Sequence, residues 1–525
     1  MLPLSTAIKI SLPKHLQNSR QGSDVAGELA QALVTCDVET VKTCLDMGID
    51  PDLSLPGGHT PITYLISSSV SDRWVEIVKV LLQSGASPHA RNQRGTPILS
   101  LLTSSGSVDL VTLALDKGAD INARGPLGET PLLTAVHYKQ IECLQVLLRR
   151  GADPNTFAND GNSALMWAAG RSNGIGMQRS LSCVMLLLQH GASPTFQNRR
   201  GFTPLMAASV VREGETVKRL LEAGANPNAK DERGETALIK AVDGDAEKVV
   251  RELLKHGSDV NAQSSSGNSA LMSAVSMEIT SLLLQHNADP TLAASDGNTA
   301  LHYQAMADRA GLALALLEYG ASIDARNGCG NTPLQVAVTS RSHSVTELLL
   351  DSGADASSVN DKGVSLLQQA ILPWDYYRTH DIFSVLNTNT LIAELLYYVR
   401  SGGGFERSYR ICEKLIGAGA SVNLAGEEGV TALMLASACG HDQLVRLFLV
   451  SGADPSASDD KGRNSLAYAC KWGHEDVVRT LLNHDCPVNN LDVNNNMPIY
   501  YAAQYSNTNI VMGLMVQFAF YMCSL

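Results

Sequence analysis

Hydrophobic and polar residues alternate along this chain in a pattern that recurs at a nearly constant interval. A small polar residue, a Pro or Ala and an aliphatic residue usually open each interval, as in Thr130-Pro131-Leu132. The first residues of these triplets, here called cap residues, are Thr60, Thr96, Thr130, Ser163, Thr203, Thr236, Ser269, Thr299, Thr332, Ser365, Thr431, Asn464 and Met497. Most successive cap residues lie 33 residues apart, and self-similarity at such a period indicates stacked repeats.

Each interval predicts two short helices. Thr is a favourable N-cap, and Pro suits the first helical position because its missing N–H is not needed there. The second helix carries paired aliphatic residues, as in Val146-Leu147-Leu148, and ends at a glycine such as Gly151, with Asn287 in the same place of another repeat. These residues favour the left-handed conformation that terminates helices. Helices this short are unstable alone, so the pattern predicts helix pairs that must stack.

The triplet Thr-Pro-Leu, the 33-residue period and the sequence Leu147-Leu148-Arg149-Arg150-Gly151-Ala152-Asp153-Pro154-Asn155 together resemble the ankyrin repeat. The resemblance covers nearly the whole chain, from about residue 24 to 520, and includes an N-terminal pair that ends at Gly48. It implies an all-α fold: one ankyrin-type α-solenoid of about fourteen stacked helix-turn-helix repeats with β-turn or hairpin fingers.

Departures from the period divide the chain. We predict a disordered tail over residues 1–23, a first block of repeats over 24–372 and a second block over 406–525, whose last repeat is poorly capped. Between Ser365 and Thr431 the interval doubles, and residues 373–405 are either an insertion that contains its own helix or a degenerate repeat. A longer connection between two helices is expected around Arg171–Met177, and a shorter one around Ser276–Glu278.

The final segment is apolar where a terminal repeat is usually polar. Residues 510–516 fit the last second helix, and Phe518 stands where the terminating glycine is expected. Three interpretations remain open: the uncapped end of a truncated or spliced product, a face on which a partner docks, or a segment that contacts a membrane.

Composition narrows the class of function. The net charge of −12 argues against general nucleic-acid binding. The ten cysteines are scattered singly, which is typical of reduced, buried thiols in a cytosolic or nuclear protein. The first twenty residues contain Lys9 and Lys14 and lack the apolar core of a secretory signal. We therefore predict a cytoplasmic protein, with the nucleus as a second compartment.

No motif for catalysis or for metal or nucleotide binding occurs in the sequence, which predicts a protein that is not an enzyme and needs no cofactor or metal. Histidines just before a helix end, such as His190, His256 and His484, suit the negative end of the helix dipole. His302 occupies the buried position that, in the family it resembles, forms hydrogen bonds between repeats. The acid pairs Glu427-Glu428 and Asp459-Asp460 are expected to form a solvated edge at the turn tips.

In ankyrin proteins, partners usually meet the turn tips and the inner face of the first helices. Carried over by position, the candidate inner-face residues are His137, Tyr138, Arg171, Met277, Lys471, Trp472, Gln504 and Tyr505. The candidate tip residues are Arg199, Arg200, Arg233, Glu427 and Glu428, which predict a basic middle and an acidic later section that would suit a charge-segregated partner. Trp374, Tyr376 and Tyr377, in an aromatic-rich stretch, either bind a partner or pack onto the repeats.

These observations favour a scaffold or adaptor that binds other proteins through the inner face and turn tips. Two alternatives remain: a substrate-recognition or regulatory arm of a larger enzyme assembly, such as a ubiquitin ligase, and the cytoplasmic ankyrin portion of a membrane protein. The expected partners are proteins, not nucleic acids or membranes, and the sequence leaves the oligomeric state open. Fold alone does not specify the partner.

Overall fold

The computed structural model describes residues 20–55, 58–68, 73–170, 177–371 and 404–524. These ranges contain twenty-eight α-helices, which pack as fourteen successive pairs. Their only β structure is a set of isolated bridges between the two sides of a turn, such as Arg91 with Pro97. The described helices belong to two compact units divided between Ser264 and Ser265, with seven pairs in each.

The helices of the first unit are α1 (Arg20–Thr35) and α2 (Val38–Asp46), α3 (Pro61–Ser68) and α4 (Trp74–Gln83), α5 (Ile98–Ser105) and α6 (Val108–Asp116), α7 (Pro131–His137) and α8 (Ile141–Arg149), α9 (Ala164–Gly170) and α10 (Met177–Gln189), α11 (Pro204–Val210) and α12 (Gly214–Glu222), α13 (Ala237–Asp243) and α14 (Glu247–Lys255).

The helices of the second unit are α15 (Ala270–Ser273) and α16 (Met277–Gln285), α17 (Ala300–Met306) and α18 (Ala310–Glu318), α19 (Pro333–Thr339) and α20 (His343–Asp351), α21 (Leu366–Ile371) and α22 (Gly404–Gly417), α23 (Ala432–Cys439) and α24 (Asp442–Val450), α25 (Ser465–Trp472) and α26 (Glu475–Leu482), α27 (Pro498–Gln504) and α28 (Thr508–Ser524).

Most cap residues start the first helix of their pair as predicted, whereas α5 begins one residue later than expected, with Pro97 and not Thr96 at its N-cap. The hydroxyl of Thr203 accepts a hydrogen bond from the backbone N–H of Met206 at 3.1 Å, and Pro204 occupies the first helical position. At the end of the second helix, Gly151 and Asn287 have φ values of +90° and +63°, so both predicted terminators are left-handed. Local sequence therefore sets both ends of a pair.

Stacking supplies the stability that a single pair lacks. In α14 the apolar stripe Val249, Val250, Leu253 and Leu254 is buried, and α14 packs on α12 of the preceding repeat. Burying one such side chain contributes about 1.5–3 kcal/mol. The polar face of the same helix stays in solvent, so each pair has an apolar side that only its neighbours can cover.

The turns between pairs form fingers with a common hydrogen-bond pattern. At the base of one finger, the Oδ1 atom of Asp231 accepts the N–H groups of Arg233 and Glu235 at 3.0 and 2.9 Å. Asn92, Asn198, Asn327 and Asn360 act in the same way in other repeats. Neighbouring fingers are joined by a backbone bond, for example from Glu232 N–H to the carbonyl of Arg200 at 2.8 Å.

Three described segments bear on the predicted boundaries. Helix α1 begins at Arg20, inside the stretch predicted as a disordered tail, because 20–35 forms the first helix of a pair; residues 1–19 lie outside the described ranges. Helix α15 has only four residues, which is how the short interval between Ser269 and Thr299 is accommodated. Helix α28 continues through Phe518 to Ser524, with Met512 and Met515 more than half exposed.

Helices α21 and α22 pack against each other although residues 372–403, outside the described ranges, separate them. Gln368 Nε2 donates to the carbonyl of Val430 at 2.7 Å, just before the cap residue Thr431. His302 makes the corresponding bond to Asn331, just before the cap residue Thr332, at 3.0 Å. The repeat of Ser365 thus packs directly on that of Thr431, and both alternatives for residues 373–405, an insertion or a degenerate repeat, stay predictions.

Candidate functional site

A groove of about 670 Å³ lies on the inner face of the first unit, by which we mean the exposed side of the first helices and the adjoining fingers. It extends across the repeats of Thr96, Thr130 and Ser163. Residues of α5, α7 and α9 form its floor, and three fingers form its rim. The lining residues on which the argument depends are Arg94, Leu101, Leu127, Glu129, His137, Tyr138, Asp160 and Trp167.

One wall of the groove is formed by a side chain four residues after a cap residue. In two other repeats the side chain at this position reaches back to an acid at the finger base: Lys240 Nζ lies 2.8 Å from Asp231 Oδ2, and Tyr468 Oη donates to Asp459 Oδ2 at 2.7 Å. In the repeat of Ser163, Ala158 replaces the finger acid and Trp167 occupies the fourth position. Without an acid to bond at the finger base, Trp167 becomes a wall of the groove.

Three aromatic rings form that wall. The His137 ring packs edge-on against Tyr138 and Trp167, with ring centroids 4.8 and 5.8 Å away. Trp167 is half-buried, whereas Tyr138 is 56% exposed and Leu127, on the opposite finger, is 73% exposed. Large side chains left this open beside a groove are typical of sites that bind other proteins.

The rim carries more negative than positive charge. Among the charged residues that line the groove, Arg94 is positive and Glu129 and Asp160 are negative. The Glu129 carboxylate accepts the N–H of Leu127 at 2.8 Å, and the Asp160 carboxylate accepts the backbone and side-chain N–H groups of Asn162. Within the described residues, neither carboxylate forms a salt bridge.

A smaller cavity of about 240 Å³ continues the inner face beyond Trp167. Its lining includes Phe202 and Val210, and Val210 is 53% exposed. Trp167 and Asp160 line both cavities. The inner face of the first unit therefore offers an apolar surface over at least four repeats.

Sequence reasoning found His137 and Tyr138 in this surface but missed Trp167, Leu127 and the two rim acids. The sequence alone did not single out Trp167, because Tyr303 has the same place after Ala294 and instead donates a hydrogen bond to Asn268 at 3.3 Å. Leu127 could not be found either, because no rule of the repeat requires its position to be exposed.

The predicted inner-face residues of the second unit are arranged differently. The ring of Trp472 stacks on Tyr505, with centroids 6.5 Å apart and planes 28° apart, and Lys471 Nζ lies 5.0 Å from the centroid of the Trp472 ring. Trp472 is half-buried and Lys471 is buried, so both are less exposed than a position on the inner face implies. The physical reason is that the next repeat supplies an aromatic ring at the same position. Gln504 and Tyr505 are exposed.

The turn tips carry the predicted charges only in part. Arg199, Arg200 and Arg233 are exposed, but Arg200 faces Glu232 at 3.9 Å, so the basic middle contains an acid as well. Glu428 pairs with Lys461 at 3.5 Å, and the backbone of Glu427 starts a short 3₁₀ turn at the same tip.

Asp459 corrects the prediction of a solvated acidic edge. Its side chain is 1% exposed and lies 2.8 Å from Arg463 Nη2. It also accepts hydrogen bonds from Arg463 Nε and Tyr468 Oη. Asp459 is therefore the finger-base acid of its repeat and not a surface charge, whereas the next residue, Asp460, is exposed.

Four candidate residues, Arg171, Trp374, Tyr376 and Tyr377, lie outside the described residues. Met277 is exposed, but it is the first residue of α16 and not part of a first helix, because α15 ends at Ser273.

The described residues hold little that could support metal or thiol chemistry. No cluster of three or more His, Cys, Asp or Glu suited to a metal occurs among them. Burial raises the pKa of the Cys143 and Cys183 thiols to about 11. His190, His256 and His484 each hydrogen-bond through Nδ1 to the carbonyl four residues earlier, at 2.9 Å.

Across the described part of the chain, every helix is too short or too polar to cross a membrane.

Comparison with known proteins agrees with this architecture. A family model described as ankyrin repeats (three copies) matches residues 65–158, 99–177, 157–231, 207–294, 276–360, 404–492 and 433–521. A fowlpox virus (strain NVSL) protein described as an ankyrin repeat protein, FPV219, is 34% identical over 68 residues, which is 13% of this chain and 16% of the viral protein. The chain thus covers about a sixth of that relative's length.

Proposed function

This chain belongs to the ankyrin-repeat family, and from that premise we propose that it is a non-enzymatic scaffold or adaptor whose partner protein docks in the groove of the first unit. The single observation that carries the proposal is the open aromatic and aliphatic surface formed by Leu127, Tyr138 and Trp167. Ankyrin repeats are in general protein-interaction modules, so a binding surface on the inner face is the function that this geometry supports best.

The groove suits a protein segment better than a small molecule. Its rim is formed by separate fingers and its floor by separate first helices, so it runs across repeats. Small-molecule sites bury most of their ligand in a concave cavity, whereas here Leu127 and Tyr138 stand out from the surface. An extended or helical segment could contact several repeats at once, and a few aromatic anchors usually provide most of the binding energy.

A photo-cross-linking experiment tests the proposal. The photoreactive residue p-benzoylphenylalanine replaces Tyr138 in the full chain expressed in cells, and cross-linked peptides are identified by mass spectrometry. The matched control places the same residue at Met185, which is also exposed but lies on a second helix, α10. We expect peptides from a small set of proteins at position 138 and not at 185.

The Leu127→Ser variant provides a second test of the same proposal. Because Leu127 is 73% exposed, its replacement should leave the melting temperature within about 2 °C and yet remove the cross-links at position 138. Equal cross-linking at 138 and 185, or cross-links that survive Leu127→Ser, would show that the groove is not the docking site.

Two other roles remain as alternatives to a scaffold: a recognition arm of a larger enzyme assembly and the cytoplasmic portion of a membrane protein. The same cross-links discriminate them, because enzyme subunits would dominate the peptides in the first case and membrane proteins in the second. In each case, the partner would still meet the inner face.

A further inference from the structure

The groove of the first unit combines an aromatic wall with an acidic rim, and this combination favours a particular chemistry in the partner. We propose that the groove binds a protein segment that inserts an arginine or lysine side chain against Trp167, between the carboxylates of Glu129 and Asp160. This inference rests on the proposed function and specifies the partner's chemistry.

The aromatic wall formed by His137, Tyr138 and Trp167 favours a cation. The ring faces of Trp and Tyr attract cations through their quadrupole, and Trp does so most strongly. His137 packs edge-on against both Tyr138 and Trp167, which holds the three rings as one unit. The chain already uses this interaction elsewhere: the guanidinium of Arg463 lies 4.8 Å from the centroid of the Tyr468 ring.

The acidic rim of the groove also favours a cation. Glu129 and Asp160 give two negative charges against the one positive charge of Arg94 among the lining residues. Among the described residues, the donors to these two carboxylates are the neutral groups of Leu127 and Asn162, which leaves carboxylate lone pairs for a cationic donor. At the finger base of another repeat, Asp231 is instead paired with Lys240. A partner's cation would supply in the groove what Lys240 supplies there.

The apolar part of the groove defines what flanks that cation. Leu101 and Leu127 line the same cavity as the acids, so aliphatic residues beside the arginine or lysine would be covered on binding. Arginine and lysine carry long aliphatic stems that pack against apolar surface while the charged end remains hydrogen-bonded. The preferred segment is therefore basic and aliphatic, not acidic.

A fluorine NMR titration tests this chemistry directly. The full chain, labelled with 5-fluorotryptophan, contains four tryptophans, and Trp167→Phe identifies the Trp167 signal by its loss. The probes are three peptides, Gly-Ser-Leu-Ala-Xaa-Ala-Leu-Ser-Gly, in which Xaa is arginine, its uncharged isostere citrulline, or glutamate. We expect the arginine peptide to shift the Trp167 signal with an affinity about tenfold higher than that of the citrulline peptide, and the glutamate peptide to leave it unmoved.

The rim is tested with the pair Glu129→Gln and Asp160→Asn, which keeps side-chain shape and hydrogen-bond acceptors. This pair should reduce the preference for arginine over citrulline to within about twofold, because the attraction between opposite charges is lost. The matched control is Asp109→Asn with Glu142→Gln, two exposed acids on second helices of the same unit, which should keep the full preference.

The outcomes separate this inference from the proposed function. Equal affinity for the three peptides, or a preference for arginine that survives loss of Glu129 and Asp160, overturns the charge inference. If cross-links at position 138 persist in that case and still depend on Leu127, the docking function stands without it. If the cross-links are absent as well, both fail.

Discussion

The two units place an aromatic residue at the same repeat position and use it in opposite ways. His137-Tyr138 in the first unit and Lys471-Trp472 in the second both lie seven and eight residues after a cap residue. Tyr138 is 56% exposed beside a groove, whereas Trp472 stacks on Tyr505 of the following repeat. An aromatic residue at this position of the inner face is therefore open or packed according to what the adjacent repeat presents to it.

The finger base explains much of the difference. In the second unit, Asp459 binds Arg463 and Tyr468 in a buried network, so the fourth position after the cap residue is tied to its own finger. In the repeat of Ser163, by contrast, Ala158 stands in place of the acid, and Trp167 lines the groove. The repeat of Asn464 thus has a buried polar network where the repeat of Ser163 lines an open groove.

The largest effect is expected from breaking the network. Asp459→Ala would leave Arg463 buried without its carboxylate, which should destabilise its repeat by about 3–5 kcal/mol. Hydrogen exchange of the amides of Lys461 and Arg463, which donate to Asp459, measures the local opening free energy. The control is the exposed neighbour, Asp460→Ala, for which we expect less than about 0.5 kcal/mol. Equal protection in the two variants would contradict the structural role of Asp459.

Lys471 should give the next largest effect, and in the opposite direction. Burial lowers the pKa of Lys471 to about 8, and the nearby charges of Arg463 and Lys461 lower it as well. The native state therefore binds the lysine proton more weakly than the unfolded chain, whose lysine has a pKa near 10.5. Above pH 10.5 the lysine is neutral in both states, so the full stability is present. As the pH falls towards 8, the unfolded chain takes up the proton first, and this stability is lost.

At pH 7 the charged lysine thus costs up to about 3 kcal/mol, and Lys471→Met should stabilise the second unit by that order. The same variant should flatten the rise in melting temperature of the wild-type protein between pH 8 and 10. Lys248→Met is the control, because Lys248 is exposed on α14. A loss of stability in Lys471→Met at pH 7 would show that the charge is well accommodated.

The interaction free energy between the stacked rings of Trp472 and Tyr505 should be smaller than either of these effects. A double-mutant cycle with Trp472→Ala and Tyr505→Ala isolates their interaction, for which about 0.5–1.5 kcal/mol is expected from aromatic pairing. In the first unit, Tyr138→Ala should change stability by less than about 0.5 kcal/mol while it weakens partner binding. A coupling near zero between Trp472 and Tyr505 would remove the contrast between the two regions.

The smallest effect at neutral pH concerns His302. Its Nε2 donates to the carbonyl of Asn331, and its Nδ1 accepts the N–H of Thr299, so the native state holds the neutral ring. Burial lowers the pKa of His302 below its usual value of 6.5. Its contribution to stability is therefore complete above pH 6.5 and is lost as the pH falls below that value.

The chain itself provides the substitution that tests this. Gln335 and Gln368 occupy the same position in later repeats, and each accepts the N–H of its cap residue through Oε1, at 2.8 and 2.7 Å. His302→Gln should therefore leave stability at pH 7.5 almost unchanged and make it independent of pH between 7 and 5 in that repeat. Hydrogen exchange around α17 would measure it. An unchanged acid sensitivity in His302→Gln would place the titration elsewhere.

The sequence by itself determined the repeat architecture. Thr203, Gly151 and Asn287 act through their own backbone and the residues three or four positions away, so their roles follow from local chemistry. The family likeness and the fourteen pairs were predictable for the same reason, whereas the hydrogen bond of His302 to the next repeat was expected only from the resemblance to the ankyrin repeat. The candidate site was predictable only in part: His137 and Tyr138 were found by position.

The tertiary structure decided which equivalent positions are open and which are closed. Tyr138 and Trp472 have the same place in the repeat, and Asp459 and Asp460 are adjacent, yet only one of each pair is exposed. Trp472 is covered by Tyr505 of the next repeat, and Asp459 is covered by Arg463 and Tyr468, which its own finger and first helix bring together. A periodic sequence specifies the repeat, but the contacts between neighbouring repeats depend on the residues in which they differ.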